Sequence, residues 1–275
     1  MKTKTKKLVD EVKLKLKGHI NDDLISLIPT NYKLFGKVII LYLPQLLEPY
    51  YEIIGNAYLE VFDITSVITI EKIKGEYREP VAKLIAGNKT DAIHKENGII
   101  YKFDPLHIML SPGNKYIRTT IPLDIVQNET IVDMFAGIGY FSIPAAKKAV
   151  VYSIEKNPLS YYYLKKNAVL NKVNESLIPI FGDCSNIYIA DTADRVFMGY
   201  FGYTEDFILQ AIYMSKKTAV IYYHNAVLRK SIDEHLDLVK GIVKKYANIS
   251  NVNTRIVKEI SKTKVHIMAK IQIQK

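Results

Sequence analysis

From Asn128 onward, short apolar runs alternate with amphipathic stretches, and this rhythm restricts the possible folds more than any other feature of the chain. ETIVDMFA, AVVYSIEK, SLIPIFGD, ADRVFMGYF and TAVIYYHN are strand-length apolar runs. GYFSIPAAKK follows the first, and LSYYYLKKNAVLNKV follows the second with apolar residues at three- and four-residue spacing. Strands that alternate with helices build a parallel sheet. TRIVKEI and KVHIMAKIQIQ alternate apolar with polar residues and predict a closing antiparallel pair.

The preceding residues follow a different plan. VIILYL (Val38 to Leu43) and SVITIEK (Ser66 to Lys72) predict strands, and Pro44 to Phe62 between them carries helical apolar spacing. VDEVKLKLKG fits a short basic helix or a strand. Asn97-Gly98, between the apolar runs of TDAIHKENGIIYKFD, predicts a hairpin, because both residues tolerate the left-handed conformation of a tight turn. The expected division is a mixed α/β N-terminal domain over 1–110, a connecting helix over 111–127, and a second domain of alternating strands and helices over 128–275.

Composition narrows the classes. At 48% hydrophobic over 275 residues, the chain can bury two modest cores. Lys and Arg number 38 against 28 Asp and Glu, a surplus present in both halves, which suits a polyanionic partner. A lone cysteine, Cys184, excludes an internal disulfide and a cysteine-cluster zinc site and fits a reducing cytoplasm. The six histidines show no ligand spacing, so no metal is expected. The N-terminus lacks the apolar core of a signal peptide. The most apolar stretch, Val38 to Phe62, is broken by Pro44, Glu48, Pro49, Glu52 and Glu60, so no membrane span is expected. A lysine-heavy, tryptophan-free composition points to an A+T-rich, archaeal source.

An open parallel sheet binds its ligand beyond the carboxyl ends of its strands, where the strand order reverses. Four motifs fall at such ends. The first, DMFAGIGYFSI, carries Asp133 and Phe135 into a turn through Gly137 and Gly139. Tyr140-Phe141-Ser142 follow with no third glycine, which argues against a dinucleotide loop. The second is Glu155, 18 residues beyond Gly137, where a carboxylate can accept from ribose hydroxyls. The third, Gly182-Asp183-Cys184, sets a carboxylate and a backbone N–H where an adenine could meet them. The fourth is Met198-Gly199-Tyr200. No phosphate loop is present, so an adenosine without polyphosphate fits best, and S-adenosylmethionine is the expected donor.

DMFAGIGYFSIP, SIEKNP, KKNAVLNKV, GDCSNI and DRVFMGY, with GNKTDAIHKENGIIYKFD and MLSPGNKYIRTTI upstream, resemble the tRNA enzymes that act on the guanosine-derived base at position 37. The resemblance covers roughly residues 33–275. It implies a Rossmann-like class I S-adenosylmethionine-dependent transferase domain with a smaller N-terminal α/β domain. It also implies a cytoplasmic, monomeric enzyme whose partner is the anticodon region of tRNA-Phe. Two branches fit: guanine-N1 methyltransferases, and wybutosine-pathway enzymes that transfer the 3-amino-3-carboxypropyl group to 4-demethylwyosine and release methylthioadenosine. The methyltransferases carry an Asn-Leu-Pro or Asn-Pro-Pro turn where this chain has Met198-Gly199-Tyr200, and a proline where it has Tyr140. IYYHNAV resembles the Tyr-His-Asn-Thr-Val stretch of the aminocarboxypropyl branch. Both differences favour the transferase.

The resemblance also implies roles. Arg118 is expected to clamp the donor carboxylate, or alternatively a tRNA phosphate, although Ile117 stands where the family has Glu. Ser111 is expected on the donor's amino-acid end, or as a helix cap. His224 and Asn225, at the expected end of strand five, face the base, with His224 taking a proton or capping the strand. Tyr140, Phe135 and Tyr200 offer stacking surfaces. Asp133, Gly137, Gly139, Glu155, Asp183 and Cys184 complete the expected donor pocket. The competing readings are a non-catalytic RNA-binding protein that retains the fold, and a small-molecule methyltransferase.

Overall fold

A computed structural model describes residues 2–109 and 114–275, which form two compact units. The first runs to Lys95 and resumes at Ile100; the second comprises Glu96–Ile99 and the remaining chain to Lys275.

In the first unit the ambiguous N-terminal segment is helix α1 (Lys2–Leu16). Val9, Val12 and Leu16, at three- and four-residue spacing, are buried, and a strand would have put them on opposite faces. A short α2 (Asp22–Ser26) follows, capped by the Asn21 side chain. Next come β1 (Lys33–Phe35), β2 (Val38–Leu41), a 3-10 turn over Gln45–Tyr50 leading into α3 (Tyr51–Val61), β3 (Ser66–Lys74) and β4 (Glu79–Gly87). The sheet order is β1-β2-β3-β4, with β2 and β3 parallel and the other pairs antiparallel. α1 and α3 pack their apolar faces into the core beneath it. β5 (Ala92–Glu96) and β6 (Ile99–Phe103) form the expected hairpin, with Asn97 at φ 50° and Gly98 at φ 76°.

The second unit begins with α4 (Lys115–Asp124). Its alternating elements are β7 (Thr130–Asp133), α5 (Ser142–Ala145), β8 (Val150–Glu155), α6 (Pro158–Leu170), β9 (Leu177–Phe181), β10 (Ala193–Met198), α7 (Ile208–Met214) and β11 (Ser215–Leu228). α8 (Ile232–Lys244), β12 (Asn248–Glu259) and β13 (Lys264–Gln274) complete it. The sheet order is β12-β13-β11-β10-β7-β8-β9; β7 to β11 are mutually parallel and β13 is antiparallel to both neighbours. The order reverses between β7 and β10, so a crevice opens beyond their carboxyl ends.

Three details depart from the sequence pattern. The helix expected over GYFSIPAAKK is a single turn, because Ser142 starts it while bonded back to Asp133. α7 and α8 fall outside the alternation read from the sequence, although Ile232, Leu236, Val239 and Val243 recur on one face of α8. β11 does not end at His224-Asn225: β13 pairs with it from Thr218 to Leu228, which carries the strand three residues further.

Candidate active site

The glycine loop is held by the strands it leaves. Met134 N–H donates to the Phe197 carbonyl (3.0 Å) and Ala136 N–H to the Ile154 carbonyl (2.9 Å), tying the loop to both neighbours of β7. Gly137 (φ 57°) and Gly139 (φ 99°) turn it in the left-handed region, where side chains are strained. Both positions are also crowded. A Cβ on Gly137 would lie 2.9 Å from the Tyr140 ring, and one on Gly139 would lie 2.6 Å from Ile143. Asn167, fully buried on α6, donates from Nδ2 to the Ile138 carbonyl (3.1 Å) and fixes the middle of the turn.

Asp133 lies beneath the loop, fully buried; Ser142 Oγ donates to its Oδ2 (2.6 Å) and Phe135 N–H to its Oδ1 (3.3 Å). Burial disfavours its charge more than these two donors favour it, and its pKa is pushed up to about 7. Glu155, at the end of β8, accepts Gly137 N–H on Oε2 (2.7 Å) and Asn157 N–H on Oε1 (2.7 Å). Burial raises its pKa too, against the backbone donors of Asn157, Gly137 and Lys156. A carboxylate offers about four acceptor sites. Three donors leave room for a further hydroxyl.

Asp183 follows β9 and caps a 3-10 turn, accepting from Ser185 N–H (2.9 Å) and Ser185 Oγ (2.7 Å) on Oδ1 and from Lys156 Nζ (3.2 Å) on Oδ2. Burial pushes its pKa up, but Ser185 and Lys156 together outweigh it and hold the carboxyl below its usual range. Cys184 is buried beside it, its thiol pushed up to about 12 by burial and then by Asp183. A thiol that stays protonated is a poor nucleophile, so Cys184 is unsuited to covalent chemistry.

Aromatic rings close the β7–β10 side. Phe135 stacks on Tyr200 (centroids 5.2 Å, planes 21° apart) and meets Phe207 edge-on (5.1 Å). Gly199 has a packing reason: a Cβ there would lie 2.8 Å from the Phe141 ring. Phe141 in turn stacks on His224 (5.4 Å, 23°).

The last two expected residues are corrected by β11. His224 and Asn225 lie inside that strand and are 1% and 4% exposed, so neither caps its end. His224 Nδ1 lies 2.9 Å from His266 Nε2. Asn225 is on the opposite face, where its amide donates to Glu205 Oε2 (2.9 Å) and Tyr223 Oη (2.8 Å) and lies 3.3 Å from His235 Nε2. Ala226 N–H donates to the Asn225 side-chain Oδ1 (2.7 Å). That amide serves its own network and ties the turn after β10 to β11. Arg118 also has an unexpected partner: its Nε and Nη2 donate to the two carboxylate oxygens of Glu96 (2.6 and 2.9 Å), both side chains buried. The bidentate geometry expected for a donor carboxylate is thus made to a protein carboxylate. Ser111 lies outside the described residues.

Glu96, Lys156, Asn167, Phe141 and His266 were missed as site residues. Asn167 and Lys156 stood inside quoted motifs. His266 falls on the polar side of the β13 alternation and gave no signal, although the fold buries it fully, with Phe201 and His224 against its ring. Among the described residues, no cluster of His, Cys, Asp and Glu has a metal-holding arrangement, and no helix is long and apolar enough to cross a membrane.

A sheet that reverses at β7 and β10, with a glycine turn, a ribose-type carboxylate and an adenine-type carboxylate along one edge, defines the Rossmann-like class of S-adenosylmethionine-dependent transferases. The TRM5/TYW2 methyltransferase domain model matches residues 92–252 and the TYW2 N-terminal domain model matches 12–90; the chain belongs to the TRM5/TYW2 family. It is 35% identical to the tRNA(Phe) (4-demethylwyosine(37)-C(7)) aminocarboxypropyltransferase of Pyrococcus horikoshii over 94% of this chain and 95% of that one. A crystal structure of P. horikoshii TYW2 in complex with MeSAdo superposes with a TM-score of 0.83 at 32% identity, covering 97% of this chain and 99% of that one. The tRNA (guanine(37)-N(1))-methyltransferase Trm5b of Pyrococcus abyssi is 36% identical over 75% of this chain but only 63% of its own length.

Proposed function

We propose that the protein transfers the 3-amino-3-carboxypropyl group of S-adenosylmethionine to C7 of 4-demethylwyosine at position 37 of tRNA-Phe, releasing methylthioadenosine. The observation that carries this over methyl transfer is the end of β10, where the methyltransferases have the Asn of their turn and this chain has Met198, fully buried. The end of β10 thus presents no side-chain amide to orient a purine ring nitrogen, and Gly199 and Tyr200 follow. Similarity to the P. horikoshii transferase along nearly the whole chain supports the same reading.

The residues at the carboxyl edge fit an adenosine. Glu155 would take a ribose hydroxyl, Asp183 the adenine amino group, and Cys184 N–H a ring nitrogen, with Gly137 and Gly139 keeping the approach clear. The donor supplies a sulfonium with three electrophilic carbons, and orientation decides which one reacts. Phe135 and Tyr200, already paired, form the aromatic platform for the acceptor base, since RNA enzymes unstack bases onto such faces. Tyr140, lying over Gly137, borders the same space. His224 is the proton acceptor. Arg118 and Asn225 act at one remove: the first fixes the Glu96 hairpin tip against α4, and the second anchors the turn that carries Tyr200. Basic residues of both units meet the tRNA anticodon region as a monomer. The site of action is the cytoplasm.

Incubation with S-adenosylmethionine and tRNA-Phe bearing the tricyclic precursor, followed by mass spectrometry, tests the proposal. Methylthioadenosine with an aminocarboxypropyl mass gain on the tRNA is expected. S-adenosylhomocysteine with a methyl gain would assign the protein to the methyltransferase branch.

A further inference from the structure

The two imidazoles of His224 and His266 form a buried pair with unusual hydrogen-bond accounting. His224 Nδ1 and His266 Nε2 are 2.9 Å apart, but among the described residues His224 Nε2 and His266 Nδ1 are buried with no partner. Buried polar nitrogens are nearly always satisfied. An exception at the edge of a site points to a partner that arrives with a ligand.

The position fits that reading. Met198, the last residue of β10, pairs with Tyr223, so His224 is the first residue of β11 beyond the end of β10, on the carboxyl edge of the sheet. Phe141 covers one face of its ring and also packs against Gly199, which places the imidazole beside the end of β10. Phe201, in the turn just beyond, covers His266 edge-on at 4.4 Å.

One shared hydrogen bond allows two arrangements, because in a neutral pair one ring must donate and the other accept. If His266 donates, the outer Nε2 of His224 carries hydrogen and cannot act as a base. If His224 donates from Nδ1, its Nε2 presents a bare lone pair.

We propose that His266 is a positioning residue for the transfer: its Nε2 accepts the Nδ1–H of His224, fixing the tautomer whose Nε2 lone pair faces the acceptor base. The proposal rests on the aminocarboxypropyl reading above. In the step it serves, C7 of the base forms a bond to the donor's γ-carbon while the C–S bond breaks and its electron pair leaves on methylthioadenosine. The proton displaced from C7 passes to His224 Nε2, and the C–H electron pair restores the aromatic ring. The resulting charge is shared with His266 across the 2.9 Å contact, and the proton leaves to bulk water when product departs. Burial holds both rings neutral before the reaction, His224 at a pKa of about 3 and His266 at about 2, so a lone pair is available at neutral pH. The second ring is what makes the transient cation tolerable there.

The test uses the full-length protein with 15N-labelled histidine. Long-range 1H–15N spectra without tRNA are expected to show His224 protonated on Nδ1. His266→Leu should shift that proton to Nε2 and slow single-turnover transfer by about 10- to 100-fold, leaving the S-adenosylmethionine Kd within about twofold. His266→Gln, whose Oε1 supplies an acceptor where Nε2 stood, should restore most of the rate. Wild-type His224 protonated on Nε2, or unimpaired transfer in His266→Leu, would overturn the proposal; the tautomer is read in the wild type, so a variant that fails to fold does not remove the test. A wild-type enzyme that releases no methylthioadenosine would instead sink the transfer itself, and the role of His266 with it.

Discussion

Asp133 and Gly199 show how single residues are constrained by what surrounds them. Asp133 has a folded pKa of about 7 against 3.8 unexposed to the fold, so its contribution to stability is full below about 3.8 and is lost as pH rises through about 7. Asparagine keeps an acceptor for Ser142 without the titration. Asp133→Asn should therefore gain on the wild type as pH rises over that window, by up to about 1.4 kcal/mol per pH unit in urea unfolding. An equal pH dependence in the two proteins would contradict a buried, protonatable Asp133. At Gly199, alanine places a methyl 2.8 Å from Phe141. Overpacking of this kind costs about 1–3 kcal/mol, and the displaced Phe141 would no longer stack on His224. Calorimetry of Gly199→Ala should show a lowered Tm, with transfer impaired more than donor binding.

At the scale of elements, α6 is the helix that connects most of the donor site. Asn157 caps it by accepting from Leu159 N–H (2.9 Å) and Ser160 N–H (3.3 Å), Pro158 begins it, and Asn157 N–H reaches back to Glu155. One turn before its end, Asn167 fastens the glycine loop. Removing the cap with Asn157→Ala should cost about 1 kcal/mol of stability. Asn157→Ala keeps the backbone N–H that Glu155 accepts, so the S-adenosylmethionine Kd from calorimetric titration should stay nearly unchanged; a weakened Kd would show that the cap also holds that N–H in place. This is also where the sequence was most legible. Strand–helix alternation revealed the sheet, and Gly137, Gly139, Glu155 and Asp183 fell where strand ends had to be. What could not be read was pairing across long separations. Nothing local in DAIHKENG announces that Glu96 will meet Arg118, nor in KVHIMAK that His266 will meet His224, since both depend on elements brought together only by the fold. β4, with Pro80 at its start and Lys83 in its middle, lacks alternation and is a strand because β3 supplies its partner.

At the scale of the whole molecule, the buried titrating groups set opposing pH windows. His224 and His266 unfold to a pKa of 6.5 and fold to about 3 and about 2. Their share of stability is full above about 6.5 and is lost as pH falls towards about 3, because the unfolded chain takes up the protons. Asp133 works the other way over an overlapping range. Two histidines outweigh one aspartate, so stability should decline on acidification below neutrality, and Asp133→Asn should steepen the decline; flat stability from pH 7 to pH 4 would refute the pair's neutrality. Charge acts at the same scale. With a net charge of +10, the affinity for tRNA should fall steeply as salt rises, with log Kd linear in log salt concentration. Neutralising a lysine that touches phosphate should lower that slope by about one unit, whereas Lys216, paired with Asp194, should leave it unchanged.

The strand order β12-β13-β11 has a consequence for how the protein is made. β13 is translated after β12 yet lies between it and β11, so β12 has no neighbour to pair with while it leaves the ribosome, and one side of β11 stays open. A nascent chain that has reached β12 already possesses the glycine turn, Glu155 and Asp183, but His224 still lacks its companion ring. The donor pocket can therefore take shape during synthesis, whereas the acceptor side is finished only when one late strand threads into the sheet.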